Sequence, residues 1–410
     1  MKLFRRENYL RKIRSFYHAD DLIKVITGVR RCGKSCLMQM IADELREQGI
    51  SEEQIVFLDL DRRGYRKIRT PDALEKLIEE KNRTEKLKYL FIDEIQNVKD
   101  FEEILNGFRT DGEWSIFITG SNSYLLSGEL ITKLTGRYLE FELFPLSFEE
   151  YEEMKAFYEK TIDPNPLAEL NSFILEGGFP RAVLLDGMQE KRTYVQGIVR
   201  EIFEKDIRRR VKIREKETFE RVRDYLINNF GAKMSITSLF KALKGNGIHI
   251  SKQTVSRYVK ILLDSKILYE CPRFDMKSKK ALQGEKKYYL SDLSFFYAVN
   301  TDNMIQYGPD LENLVFVYAK THDYAVSVGR IGGLECDFII RSINMDYAYI
   351  QVSYTIFQSK ETEEREYRCL EKIRDNYPRY LMTTDYLLQK RNGISHVNLI
   401  DFMKTGRTFC

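Results

Sequence analysis

Residues 28–35 read Gly28-Val29-Arg30-Arg31-Cys32-Gly33-Lys34-Ser35. Two glycines, a lysine and a hydroxyl at this spacing point to one kind of chemistry, the cradling of a phosphate chain. Phosphates are held by a concave ring of backbone N–H groups at the start of a helix, where the helix dipole favours negative charge. Gly28 and Gly33 permit backbone conformations that a Cβ would hinder. Lys34 is expected to reach the β- and γ-phosphates, and Ser35 to place its hydroxyl on Mg²⁺. Arg30, Arg31, Cys32 and Cys36 complete the expected nucleotide-binding set, although neither cysteine has a neighbour at metal-site spacing. The flanking residues supply the right setting. Leu22-Ile23-Lys24-Val25-Ile26 reads as a buried strand, and Leu37, Met38, Ile41 and Leu45 follow at helical spacing. Strand, GxxxxGKS and helix together make the Walker A pattern in its required context.

Two acids form the second constellation. Lys88-Tyr89-Leu90-Phe91-Ile92-Asp93-Glu94 is an apolar strand ending in paired carboxylates. Asp93 is expected to hold Mg²⁺ through its water shell, and Glu94 to polarise the attacking water. Either acid can also cap the helical turn that starts near Ile95-Gln96. Ser115-Ile116-Phe117-Ile118-Thr119 is a third strand, followed by Gly120-Ser121-Asn122-Ser123. In open α/β sheets this strand end faces the ligand, which makes Asn122, or Ser121, a candidate to orient the water. The same residues can cap a helix at Tyr124-Leu125-Leu126. Strands at residues 55–60 and 138–141 complete the sheet, and the alternation of strands with helical stretches predicts a three-layer α/β sandwich.

Further blocks recur in order: Thr119-Gly120-Ser121-Asn122-Ser123, Leu134-Thr135-Gly136-Arg137-Tyr138, Leu143-Phe144-Pro145-Leu146-Ser147-Phe148 and Gly177-Gly178-Phe179-Pro180. With the two constellations above, they resemble the prokaryotic AAA+-type P-loop ATPases that carry a C-terminal domain of uncharacterised function. The resemblance implies a P-loop NTPase core with an additional strand, ATP rather than GTP as the nucleotide, and Glu94 as catalytic base. It also implies a small helical lid after the Phe144-Pro145-Leu146-Ser147 turn, with the Gly177-Gly178-Phe179-Pro180 turn approaching the nucleotide. Arg137 is then a candidate charge-stabilising arginine, in cis or offered to a neighbour, with Arg181 a weaker one. Both can equally be surface arginines, and the Gly-Gly turn an ordinary loop.

Residues 231–295 read as a winged helix-turn-helix. Ile236-Thr237-Ser238-Leu239-Phe240 opens a helix that Gly245-Asn246-Gly247 breaks, and Ser251 can cap the next one. Val255, Val259 and Leu262 share one face; Lys252, Gln253, Ser256, Arg257 and Lys260 share the other. That second face suits contacts with double-stranded DNA, and the expected wing would add Lys277, Lys279 and Lys280. Such a module can also serve as a plain packing unit. Arg208-Arg209-Arg210-Val211-Lys212 either extends a nucleic-acid path or is a solvated charge run.

Residues 296–410 resemble the restriction-endonuclease-like α/β fold: a helix at 311–316, an acidic strand at 333–340 and a strand at 348–354. In active members the last strand supplies an acid and a lysine that bind metal and activate water. Here those positions hold Gln351 and Ser353, which cannot supply that charge. Glu312, Glu335 and Asp337 alone would hold a cation weakly, so a non-cleaving domain is expected, with Lys360 lying beyond the strand.

Composition sets the outer bounds. At roughly 100–200 residues per domain, 410 residues make two to four domains. The expected segments are an ATPase domain at 1–148, a helical lid at 149–230, the winged helix at 231–295 and the nuclease-like domain at 296–410. Lys and Arg number 66 against 62 Asp and Glu, a net charge of +4, so any DNA contact must come from local patches. No apolar run approaches a membrane span, and no secretory signal is visible, which predicts a chain with no membrane partner. Six scattered cysteines without a CxxC pair suit the reducing cytoplasm. The expectation is therefore a Mg²⁺-dependent ATP hydrolase that couples turnover to conformational change, with DNA, a protein partner or a second copy of the chain as further partners. Two alternatives stay open: an ATP-gated DNA nuclease, and a nucleotide-dependent binding or signalling switch without rapid turnover.

Overall fold

Five apolar segments of the N-terminal third pair into one parallel sheet in the computed structural model, which describes residues 3–81, 83–120, 134–208, 215–276, 280–300 and 304–410. The strands are β1 (Ile23–Thr27), β2 (Ile55–Asp59), β3 (Lys88–Asp93), β4 (Trp114–Thr119) and β5 (Tyr138–Glu142). Their order is β2-β3-β4-β1-β5, with β4 inserted between β1 and β3 as the additional strand. Every residue of β1, β3 and β4 is buried, which is why these strands read as unbroken apolar runs rather than alternating ones.

Helices α1 (Glu7–Arg14), α2 (Lys34–Glu47), α3 (Pro71–Lys81) and α4 (Phe101–Thr110) belong to the same unit, residues 1–144. One sheet face packs Val25, Leu58, Leu90, Ile92 and Ile116 with Leu74 and Ile78 of α3 and Phe101 and Leu105 of α4. Alternate residues turn to the other face. There Phe57, Phe91 and Phe117 stack across three strands, with ring centroids 5.6 and 4.7 Å apart.

Residues 145–410 form the second unit. It begins with helices α5 (Phe148–Phe157), α6 (Pro166–Glu176), α7 (Pro180–Val183), α8 (Met188–Glu201) and α9 (Lys216–Asn228). Ser147 and Glu150 form a capping box at the start of α5, and Asn165 caps α6 ahead of Pro166. Strand β6 (Lys233–Met234), helices α10 (Ile236–Gly245) and α11 (Lys252–Asp264), and the antiparallel pair β7 (Leu268–Asp275) and β8 (Lys280–Leu290) follow. Then come α12 (Ser294–Val299), α13 (Tyr307–Thr321), β9 (Ala325–Ile331), β10 (Leu334–Arg341), β11 (Tyr347–Val352), α14 (Lys360–Leu370), β12 (Arg379–Thr383), β13 (Lys390–Arg391), β14 (Ile394–Asn398) and α15 (Leu399–Lys404).

The second sheet holds nine strands in the order β13-β14-β12-β11-β10-β9-β7-β8-β6. It runs without a break across residues 295 and 296. Strand β7 of the hairpin pairs in parallel with β9, with Arg273, Phe274 and Asp275 opposite Val328, Gly329 and Arg330. Nothing in the local spacing of either segment announces this pairing.

Candidate functional site

The loop between β1 and α2 is shaped by its glycines. Gly28 has φ +140° and Gly33, the N-cap of α2, has φ +111°. A Cβ on Gly28 would lie 2.1 Å from the Leu143 carbonyl oxygen, so the loop approaches the chain leaving β5 more closely than any other residue allows. Arg31 also takes a left-handed conformation, φ 69°. Arg30 is half-buried and Arg31 exposed. The Lys34 ammonium is buried and donates to the carbonyls of Gly28, at 2.9 Å, and Val29, at 3.3 Å. It thus lies along the loop's own backbone, at the amino end of α2.

The two cysteines contribute differently. The Cys32 side chain is fully buried, with its sulfur beneath Gly28, so only its backbone is available to a phosphate. Burial pushes both thiols above their ordinary pKa, and at Cys36 the charge of Asp93 adds to the effect.

Asp93 ends β3 and is buried. Its carboxylate accepts hydrogen bonds from the Ser35 and Thr119 hydroxyls. Burial raises its pKa, the two hydroxyls oppose that shift, and the charges of Glu94 and Asp59 reinforce it. Glu94 then turns the chain sharply, with φ 57°. Its N–H donates to Thr119 Oγ1 at 3.2 Å, and its carboxylate accepts from the Gln96 amide. A non-glycine residue in the left-handed region is uncommon, and such strain concentrates at functional sites. Asp59 lies directly opposite Asp93 in the β2–β3 register, which adds a third carboxylate to this edge of the sheet.

The structure therefore brings Lys34, Ser35, Asp93 and Glu94 to one edge of the parallel sheet, and it adds Thr119 and Asp59. The sequence signal for Thr119 was a polar residue closing an apolar strand. Arg6 had no such signal. It is buried at the start of α1 and donates to the carbonyls of Cys32, at 3.3 Å, and Phe144, at 2.7 Å. Arg137 does not join the set. It precedes β5, its carbonyl accepts from the Ile23 N–H at 3.0 Å, and its guanidinium donates to Asn106. Because β5 runs parallel to β1, Arg137 lies at the opposite end of these strands from the loop. Asn122 and Ser121 lie outside the described residues.

Ser35 and Asp93 fit a magnesium ion chemically, since a hydroxyl and a carboxylate oxygen are the hard donors it takes. Among the described residues, no group of three or more His, Cys, Asp or Glu could hold a metal ion by itself. Phosphate oxygens and water must therefore complete any shell here.

In the second unit, the Gly177-Gly178 turn is explained by packing. The Gly178 N–H donates to Asp292 at 2.7 Å, and its carbonyl accepts from the Leu146 N–H at 2.7 Å. A Cβ on Gly177 would meet the Asp292 carboxylate at 2.0 Å, and one on Gly178 the Leu146 carbonyl at 2.3 Å. These close approaches require the glycines without any nucleotide, and Arg181 is exposed. On α11, capped by Ser251, the side chains of Lys252, Gln253, Ser256, Arg257 and Lys260 are all exposed, as the helical spacing predicts. Lys277 and Lys279 lie outside the described residues, as do 209–212 of the basic run; Arg208 pairs with Glu204 at 2.9 Å.

Glu312, Glu335 and Asp337 come together beside Gln351 and Ser353 in a cleft of about 520 Å³. The Lys287 ammonium of β8 already sits between them, 2.8 Å from Glu312 and 3.4 Å from Glu335. Lys360 begins α14 and is exposed.

Among the described residues, no helix is long and apolar enough to cross a membrane. Residues 20–152 match the family model of an AAA domain, and residues 167–304 match that of a domain of unknown function, DUF8612. The solved structure of a Walker-type ATPase of Pyrococcus abyssi is similar with a TM-score of 0.48 and 17% identity, over 72% of this chain and 96% of that one. An uncharacterized protein of Haemophilus influenzae is 33% identical over 403 residues, covering 97% of this chain and 98% of that protein. An uncharacterized protein of Methanocaldococcus jannaschii is 31% identical over 364 residues, covering 85% of this chain and 78% of that protein. A P-loop in its strand–loop–helix setting, an inserted β4, the AAA match and these two relatives lead to one assignment: the chain belongs to the AAA+-type P-loop ATPases, with a C-terminal region of unknown function.

Proposed function

We propose that the protein binds ATP and hydrolyses its β–γ phosphoanhydride with Mg²⁺. The observation that carries this reading is the meeting of Lys34, Ser35, Asp93 and Glu94 at one sheet edge, with the Thr119 hydroxyl joining the two acids. Lys34 exchanges the Gly28 and Val29 carbonyls for β- and γ-phosphate oxygens, which accept its charge better than neutral carbonyls do. When bound, the magnesium ion neutralises charge on the phosphoryl oxygens. Ser35 and Asp93 hold it, Asp93 through its water shell. Glu94, displaced from the strand direction by its left-handed turn, takes the proton of the attacking water. A site that merely retained nucleotide would not need that second carboxylate.

The output of turnover is a conformational change carried into residues 145–410, where the exposed Lys252, Arg257 and Lys260 face of α11 meets the backbone of double-stranded DNA. Arg137, at the far end of these strands from the loop, is suited to serve a neighbouring copy. Six free cysteines, none disulfide-bonded, favour the cytoplasm.

Steady-state phosphate release, measured with and without DNA, tests the reading. Lys34→Ala should lose ATP binding. Glu94→Gln should still bind ATP but turn over at least ~100-fold more slowly, the lower range for loss of a general base. Equal turnover in wild type and Glu94→Gln would remove Glu94 as the base, and phosphate release unchanged in Lys34→Ala would refute the hydrolytic assignment to this site.

A further inference from the structure

We propose that Lys287 supplies the resident cation of the nuclease-like cleft, so that the domain takes no divalent metal ion and cleaves no nucleic-acid strand. The inference concerns the second unit alone and stands apart from the ATPase reading.

Lys287 belongs to β8, outside the segment that carries the nuclease-like spacing. Its side chain is nevertheless buried among the acids of that segment. The ammonium pairs with Glu312 of α13 at 2.8 Å and Glu335 of β10 at 3.4 Å. Burial works against its charge, but the carboxylates of Glu312 and Glu335 outweigh that cost and hold the lysine above its ordinary pKa. The acids have other partners too. Tyr289 donates to the same Glu312 oxygen at 2.8 Å, and Lys233 of β6 pairs with Glu335 at 2.6 Å. The Val352 N–H donates to Asp337 at 2.8 Å. Burial, aided by the charge of Glu312, holds Asp337 toward its neutral form, in which a carboxyl is a poor metal ligand.

The remaining positions are occupied in the same way. Gln351 stands where an active relative of this fold has an acid. Its carbonyl accepts from the Asp337 N–H at 3.4 Å, and its amide donates to Glu366 at 2.9 Å. Ser353, at the lysine position, donates to the Thr355 carbonyl at 3.4 Å. A divalent ion needs several oxygens at about 2.0–2.6 Å. Placed among these carboxylates, it would meet an ammonium at contact distance, with the repulsion scaled by its double charge. The cluster instead ties β8 to α13 and β10, making a staple of what resembles a metal centre.

Mn²⁺ titrations of the full chain without nucleotide, read by the free-ion electron paramagnetic resonance signal, test the proposal. An Asp93→Asn background removes the nucleotide-side carboxylate. With Lys287 present, we expect no uptake below millimolar Mn²⁺ and no Mn²⁺-dependent nicking of supercoiled DNA. Lys287→Met should gain one site at least ~10-fold tighter, since an adjacent positive charge is gone, and adding Glu335→Gln should abolish it. Uptake by the Lys287 chain that Glu335→Gln removes, or nicking that Asp337→Ala removes, overturns the proposal. So does a folded Lys287→Met chain that takes up no Mn²⁺. Should Lys287→Met fail to fold, the titration and nicking assay on the Lys287 chain decide the matter.

Discussion

The Thr119 hydroxyl hydrogen-bonds the Asp93 carboxylate from the neighbouring strand and also accepts the N–H of Glu94. One side chain thereby orients the acid assigned to the metal and fixes the turn that aims the acid assigned to water.

Thr119→Val keeps the shape of the strand end and removes both hydrogen bonds. Supporting interactions of this kind are worth ~10–100-fold in activity. We expect kcat for ATP to fall by that amount while ATP binding, followed with a fluorescent analogue, stays within a few-fold. A variant that turns over at the wild-type rate would show that Asp93 and Glu94 are held without Thr119.

Gly28→Ala tests the close approach of the loop to Leu143. Its Cβ has no room, and the backbone is in a region that L residues avoid. The expected loss is about 2–4 kcal/mol in chemical denaturation of the first unit, together with loss of nucleotide binding. A melt superimposable on wild type would contradict the geometry of the loop.

Two buried carboxyls in the second unit predict a pH dependence with an unusual sign. Burial pushes Asp292 and Asp310 up to about 6, against the partial relief given to Asp292 by Ser294 and Gly178 and to Asp310 by Tyr297 and Gln306. Between the ordinary carboxyl value near 3.8 and 6, the folded chain holds protons that the unfolded chain has released. Stability from these two groups is therefore fully present below that window and falls as pH rises through it, by up to about 3 kcal/mol each. Stability–pH profiles of wild type minus Asp292→Asn, and minus Asp310→Asn, should each show this decline. A flat difference would mean that the group titrates normally.

The basic face of α11 predicts a salt effect. Replacing Lys252, Arg257 or Lys260 by Ala should weaken binding to duplex DNA of any sequence and lower the log–log salt slope by about 1 for each phosphate that is no longer neutralised. Binding that is unchanged in the triple variant would assign α11 to packing or to another partner.

The readable parts of this protein were the local ones. The phosphate loop, the Asp93-Glu94 strand end and the faces of α11 each lie within a short window, where residue type and period carry the information. Thr119 meets Asp93 by a hydrogen bond from the neighbouring strand and Asp59 by strand register, which no window contains. Arg6 reaches Cys32 and Phe144 across long stretches of sequence. The position of Arg137 at the far end of the strands follows from the parallel pairing of β5 with β1, and only the register reveals that. The Gly177-Gly178 turn was seen as a turn, but its reason, the buried Asp292, lies far along the chain. Lys287 was invisible as a member of the acidic cleft because it comes from the preceding hairpin.

The pairing of β7 with β9 limits how the C-terminal half can be divided. A fragment ending after the hairpin would present the bare side of β7 to solvent, and one starting at residue 296 would present that of β9. Unmated strand edges of this sort recruit other chains. Proteases, gene fusions and expression vectors alike must therefore treat the two segments as a single inheritable block, and attempts to study either alone should yield aggregates rather than modules.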